Sequence, residues 1–277
     1  MRKLEEALEE AEDFKAESKA VAAILKDLCD DDYDMPTQFK AWTIYDILAH
    51  LHLWNIAADW TLTQPDKFTA LMVDVMTVFQ GGKTHQDFQR DWAQKQGLDT
   101  GKKLYIAWLD GFATVAEKYA AADPNKRVKW GGPDMSVRSC IIARQMETWA
   151  HAQAIFDVLG KTRLDADRLK NVAHIGVTTY SWSFKVNGLT PPLPKPYIRL
   201  TAPSGEIWEW NEPQTDNKLE GSATEFSQVV TQCRNIADTS LQMTGEAARQ
   251  WMSIAQCFAG GPETPPSPDT RYKKETP

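Results

Sequence analysis

The chain has 277 residues, 42% of them hydrophobic and 25% charged, with a formal net charge of −7. That composition describes a globular protein with room for one large domain or two ordinary ones. Its acidic balance and scattered basic residues argue against nucleic acid as a partner, and no apolar run approaches the ~20 residues of a membrane helix.

Residues 3–29 carry Leu4, Ala7, Leu8, Ala11, Phe14, Val21, Ile24, Leu25 and Leu28 at helical spacing, with charged residues between them. The acidic start of the chain has no apolar stretch of the kind a secretory signal needs. Asp30 to Asp32 and Pro36 break the first helix. A second begins near Thr43, with Ile44, Ile47, Leu48, Leu51 and Ala58 on one stripe, and ends at Pro65. Residues 68–79 form a short apolar helix that Gly81 and Gly82 stop. Thr84 precedes a long helical stretch, 88–122, with residues 97–101 as a candidate interruption. After a turn at 130–133 comes a helix over 135–160, with Ser136 as its cap and Gly160 as its stop. Four principal helices with short connections and no strand make residues 1–162 a helical bundle.

Beyond Gly160 the pattern changes. Residues 165–186 read as helix, and the proline-rich 191–196 cannot continue it. Residues 197–202 and 206–210 alternate like strands about a turn at 203–205, and 218–222 adds a third strand. Helix over 225–233, strand over 239–243 and helix over 246–257 complete a small α+β domain, 163–259. Residues 260–277 are rich in proline, threonine and charge, and disorder is expected there. Cys29, Cys140, Cys233 and Cys257 form no CxxC, which favours reduced thiols in a cytoplasmic protein.

The chemistry concentrates in residues 144–151. Glu147 and His151 are four apart, so they sit one turn above each other on one helical face and can share a cation. His50 and His52 lie about 200° apart around their helix, so only one of them can join that pair. A two-histidine, one-carboxylate set leaves a position open for water or substrate and suits zinc or non-haem iron. Arg144 shares the stripe and either binds a carboxylate substrate, pairs with Glu147 or forms an interhelical salt bridge. Asp46, four before His50, is either an orienting partner or an exposed helix charge. Trp42, Trp54, Trp130 and Trp149 form either an aromatic wall or ordinary core. No P-loop, GxGxxG, GxSxG or HExxH is present, so nucleotide-dependent, serine-hydrolase and zincin chemistry have no support.

The segment from Ala41 to Leu51, AWTIYDILAHL, resembles the W-T-x-x-D-x-L-A-H-L segment of the mycothiol-dependent maleylpyruvate isomerase-like proteins, within the DinB-like superfamily. Met146 to His151, METWAH, resembles their second metal motif. The stretches 200–210, 220–223 and 244–247 look like the small domain that often follows that bundle. The resemblance implies a mainly α fold, a four-helix DinB-like bundle followed by a small α+β domain. It selects His50, with Glu147 and His151, to hold a divalent metal, usually zinc. It further implies a low-molecular-weight thiol cofactor, mycothiol or another, used in isomerisation or S-transfer on a small electrophile or carboxylic acid. A thiol at the metal is deprotonated and becomes a strong nucleophile. Arg144 and Arg234 are the candidates for holding an acidic substrate. The expected state is a monomer or homodimer, without nucleic acid or membrane. Two alternatives stay open: a non-catalytic metal-binding stress protein, and a metal-dependent hydrolase with water in the open position.

Overall fold

The computed structural model describes residues 8–275, and Leu4 and Ala7 of the expected first helix lie outside them. The chain divides into two compact units after Val158.

In the first unit the helices are α1 (Glu9–Leu25), α2 (Ile44–Thr63), α3 (Pro65–Gln80), α4 (His85–Lys95), α5 (Gly101–Ala120) and α6 (Val137–Val158). Helices α1, α5, α2 and α6 make the bundle: α1 and α2 each pack on both α5 and α6. Helices α3 and α4 are an excursion that packs on the outer side of α2. Local chemistry sets the boundaries. Thr43 and Asp46 form a capping box at α2, and Thr84 and Asp87 another at α4. Pro65 occupies the first turn of α3, where its missing N–H is no loss. Gly97, at φ 74°, allows the break between α4 and α5. Ser136 Oγ accepts from the Ser139 amide at the start of α6, and Gly160, at φ 63°, follows its end.

Helix α2 is buried nearly all round, with α5 and α6 on one side and α3 and α4 on the other. Helix α6 is also largely enclosed. Polar residues on these two helices, Asp46, His50, His52, Asn55 and Arg144, are therefore buried, and each needs a partner or a task. One expectation fails in this unit. Strands β1 (Arg127–Val128) and β2 (Met135–Ser136) pair antiparallel across the turn, too short to carry a periodic signal.

The second unit holds α7 (Lys170–Thr178), α8 (Tyr180–Val186), β3 (Tyr197–Thr201), β4 (Ile207–Trp210), β5 (Lys218–Ser222), α9 (Ala223–Val230), β6 (Gln242–Thr244) and α10 (Glu246–Ile254). The sheet order is β4-β3-β5-β6, with β3 and β5 parallel and both outer pairs antiparallel. Ile198, Leu200 and Leu219 point into the core, and α9 packs on β3 and β5. The helix expected over 165–186 breaks at Thr179, whose hydroxyl donates to the Ile175 carbonyl.

The tail expected to be disordered is instead pinned to the second unit. Gln232 Nε2 donates to the Glu263 carbonyl at 3.0 Å, and Asn235 Nδ2 to that of Pro266 at 2.7 Å. The Asp269 amide donates to Asp238 Oδ1 at 2.9 Å, and Lys273 Nζ to Thr162 Oγ1 at 3.0 Å. Hydrogen bonds from side-chain amides and carboxylates hold a segment that has little apolar surface to bury. Among the described residues no helix is long and apolar enough to cross a membrane.

Candidate metal centre

His50 stands on α2, and Glu147 and His151 on α6, where the two helices pack together. One ligand atom from each of the three residues lies within 4.8 Å of the other two. His50 Nε2 and His151 Nε2 are both 3.2 Å from Glu147 Oε2. Tetrahedral zinc with bonds of about 2.0–2.1 Å separates its ligand atoms by about 3.3–3.4 Å, so the donor set suits one such ion with little movement.

The protonation states suit it too. Burial, then the neighbouring His151, pushes the His50 imidazole down to about 3, against the pull of Glu147. His50 is thus neutral near pH 7 and has a lone pair to give. Burial opposes charge on Glu147, but the hydrogen bonds from His151 and His50 outweigh it and hold the carboxyl well below its usual range. A carboxylate beside neutral imidazole is the state that a divalent metal requires.

Aromatic rings enclose the set. Trp42 stacks on His151 with centroids 5.9 Å apart and planes 3° from parallel, and lies 5.6 Å from the His50 ring. Phe39 sets its edge on His151 at 5.0 Å. A tight loop presents both rings: the Thr37 amide donates to the Trp42 carbonyl, and Lys40 and Ala41 are left-handed at φ 50° and 56°. Two successive non-glycine residues in that region are strained, at about 1–2 kcal/mol each, and the helix-capping and hairpin bonds around them hold the conformation. Trp54 borders His50 at 6.3 Å, whereas Trp130 is one ring further out, against Trp54 and Phe68. Trp149 is core, at 1% exposure.

The remaining candidates are dispersed. His52 lies on another face of α2, beside Trp92 and close to Gly111 of α5, and burial lowers it to about 4. Arg144 is 1% exposed; its Nε donates to Asn55 Oδ1 at 3.1 Å and its Nη2 to the Leu51 carbonyl at 3.3 Å. It is therefore a buried cross-link between α6 and α2, turned away from solvent, and acts on Glu147 only through its charge. Asp46 is neither an orienting partner of His50 nor exposed. It is fully buried in its capping box, where Arg90 Nη2 and Gln86 Nε2 donate to it at 2.7 and 2.6 Å. Arg234 belongs to the second unit, where its Nη1 donates to the Cys233 carbonyl and it lines an open pocket with Asp238 and Arg271.

Sequence reasoning missed His85, Phe39 and Lys40. His85 opens α4 and its ring stands 6.4 Å from that of His50. The Thr84–Asp87 capping box signals where α4 starts, but only the packing of α4 on α2 brings His85 beside His50.

Comparison with known proteins places this geometry in context. Residues 14–156 match the family model for the mycothiol maleylpyruvate isomerase N-terminal domain. Two uncharacterized proteins of Mycobacterium tuberculosis, from strains CDC 1551 and H37Rv, are each 34% identical over 250 residues, covering 90% of this chain and 95% of theirs. Crystal structures of the mycothiol-dependent maleylpyruvate isomerase and of a histidine-to-alanine mutant of it align at a TM-score of 0.48 with 13% identity, over 80% of this chain and 87% of theirs.

Proposed function

The chain belongs to the family of the mycothiol maleylpyruvate isomerase N-terminal domain, and from that membership we propose that it is a metal-dependent enzyme that uses a low-molecular-weight thiol. Its reaction is isomerisation or S-transfer on a small electrophile, and mycothiol, the thiol in the family's name, is the first candidate. The observation that carries this reading is the convergence of His50, Glu147 and His151 within 4.8 Å, with His50 held neutral and Glu147 held ionised as a divalent cation needs.

Zinc is the cation proposed. His50, Glu147 and His151 would hold it, and the chemistry it would supply there is to lower the pKa of a bound thiol towards neutral pH. The chain's own residues do the rest. Glu147 supplies the one negative charge of the set, and His50 and His151 fix it in place from two helices. Phe39, Trp42 and Trp54 keep water from one side of the ligands, which strengthens every charge interaction there. Buried Arg144 sets a permanent positive potential behind Glu147.

The test is metal analysis of protein prepared without chelators, followed by thiol titration of the Co(II)-substituted form. Stoichiometric metal and a thiolate-to-cobalt charge-transfer band with mycothiol support the reading. Stoichiometric metal without a band for any physiological thiol favours hydrolysis with bound water, and absence of metal removes the centre altogether.

A further inference from the structure

Three ring nitrogens beside the metal ligands are left over by that reading. Trp54 Nε1, His85 Nε2 and His50 Nδ1 are each buried and have no hydrogen-bond partner. Their rings are mutual neighbours: centroids are 6.3 Å apart for His50 and Trp54, 6.4 Å for His50 and His85, and 6.2 Å for Trp54 and His85. Phe79 closes on His85 at 4.5 Å, so the corner has an apolar wall and polar contents. A buried polar group left unpaired costs about 1–3 kcal/mol. Three on adjacent rings point to an occupant that pairs with them.

Their chemistry selects that occupant. Indole nitrogen can only donate. His50 carries its proton on Nδ1 whenever Nε2 serves as a ligand, so Nδ1 donates as well, and such a donor normally finds an oxygen partner. His85 can present either tautomer and so completes a set with at least two donors. Lys40 adds positive charge nearby: it lies 5.7 Å over the Phe39 ring and its charge bears on His85. The negative charge of Glu147 bears on His85 too, and a divalent cation at the ligands more than balances it. Donors beside a net positive centre fit an anionic oxygen.

We propose that Trp54 and His85 form a carboxylate-binding subsite beside His50, which positions an acidic substrate against the metal centre. Both are positioning residues, and the assignment rests on the metal-centre reading above.

Acetate binding to the Co(II)-loaded full chain, followed by the cobalt visible spectrum, tests it. Wild type is compared with Trp54→Phe, His85→Phe and His85→Gln, with cobalt content and circular dichroism measured for each. The expected result is full cobalt content and native helicity in all four, with acetate affinity about tenfold lower in Trp54→Phe and in His85→Phe, the loss of one hydrogen bond to a charged group. His85→Gln, which keeps a donor, is expected to recover most of that affinity. Acetate affinity equal to wild type in both phenylalanine variants overturns the subsite, as does loss of cobalt from His85→Phe. A wild type that takes up cobalt but no acetate defeats this inference alone, whereas one that takes up no cobalt defeats the metal centre on which it rests.

Discussion

Replacing His151 and His52 separately by alanine should have contrasting effects on metal binding. His151 is one of the three proposed ligands, and its Nε2 sits 3.2 Å from Glu147 Oε2. A structural zinc site is worth about 10–16 kcal/mol spread over four ligands, so one ligand is worth ~3–4 kcal/mol, or a few-hundredfold in affinity. The His151 side chain is 13% exposed, packs on His50, Phe39 and Trp42 and bonds Glu147, so its truncation should cost the metal-free fold about 1.5–3 kcal/mol, the loss of a hydrogen bond to a charged group. His52 is the contrasting case. It is 6% exposed and packs against Trp92 and α5, away from the ligand set. Its truncation leaves a cavity and should cost about 2–3 kcal/mol, with metal affinity unchanged. Equilibrium dialysis at buffered free zinc and urea unfolding of the metal-free protein read the two effects independently. Equal metal loss in both variants would refute the assignment of His50 over His52 as the ligand from α2.

Other outcomes follow from the same contacts. Burial lowers His52 from its usual 6.5 to about 4, so the unfolded chain binds the extra proton more readily. The stability this represents is complete above about pH 6.5 and is lost as pH falls towards 4, by about 3 kcal/mol in all; unfolding of wild type and His52→Leu across that range should show a shallower slope in the variant, where the buried His50 and His85 still titrate. Asp46→Ala removes the α2 cap and strands Arg90 and Gln86, and should cost about 2 kcal/mol in urea unfolding with metal content intact. Gly101→Ala would drive a methyl group into the Tyr33 ring at the start of α5, and a drop of about 2–3 kcal/mol in stability is expected.

How much was legible in the sequence depended on whether the signal was local. Thr43, Ser136, Gly160 and the four-residue step from Glu147 to His151 are local, and they gave the helices and two of the three proposed ligands before any packing was known. The 200° between His50 and His52 limited the choice to one, and family resemblance made it. What escaped was set by packing. Arg144 shares a stripe with Glu147, but periodicity cannot say that this stripe is sealed by α2, and there the guanidinium meets Asn55 rather than a substrate. Asp46 read as a surface charge because Arg90, forty-four residues later, neutralises it only once α4 is in place. Phe39 and Lys40 lie in a loop whose left-handed backbone no composition rule marks without glycine. The tail misled for a related reason: composition measures apolar burial, and this segment is held by polar bonds from Gln232, Asn235 and Asp238.

The central claim, a thiol-using metal centre on His50, Glu147 and His151, is tested most directly by zinc K-edge absorption of the protein with and without mycothiol. The account predicts one zinc per chain with two imidazoles and a carboxylate oxygen, and a sulfur at about 2.3 Å that appears only when the thiol is added. A first shell unchanged by the thiol, or sulfur already present without it, would contradict the account.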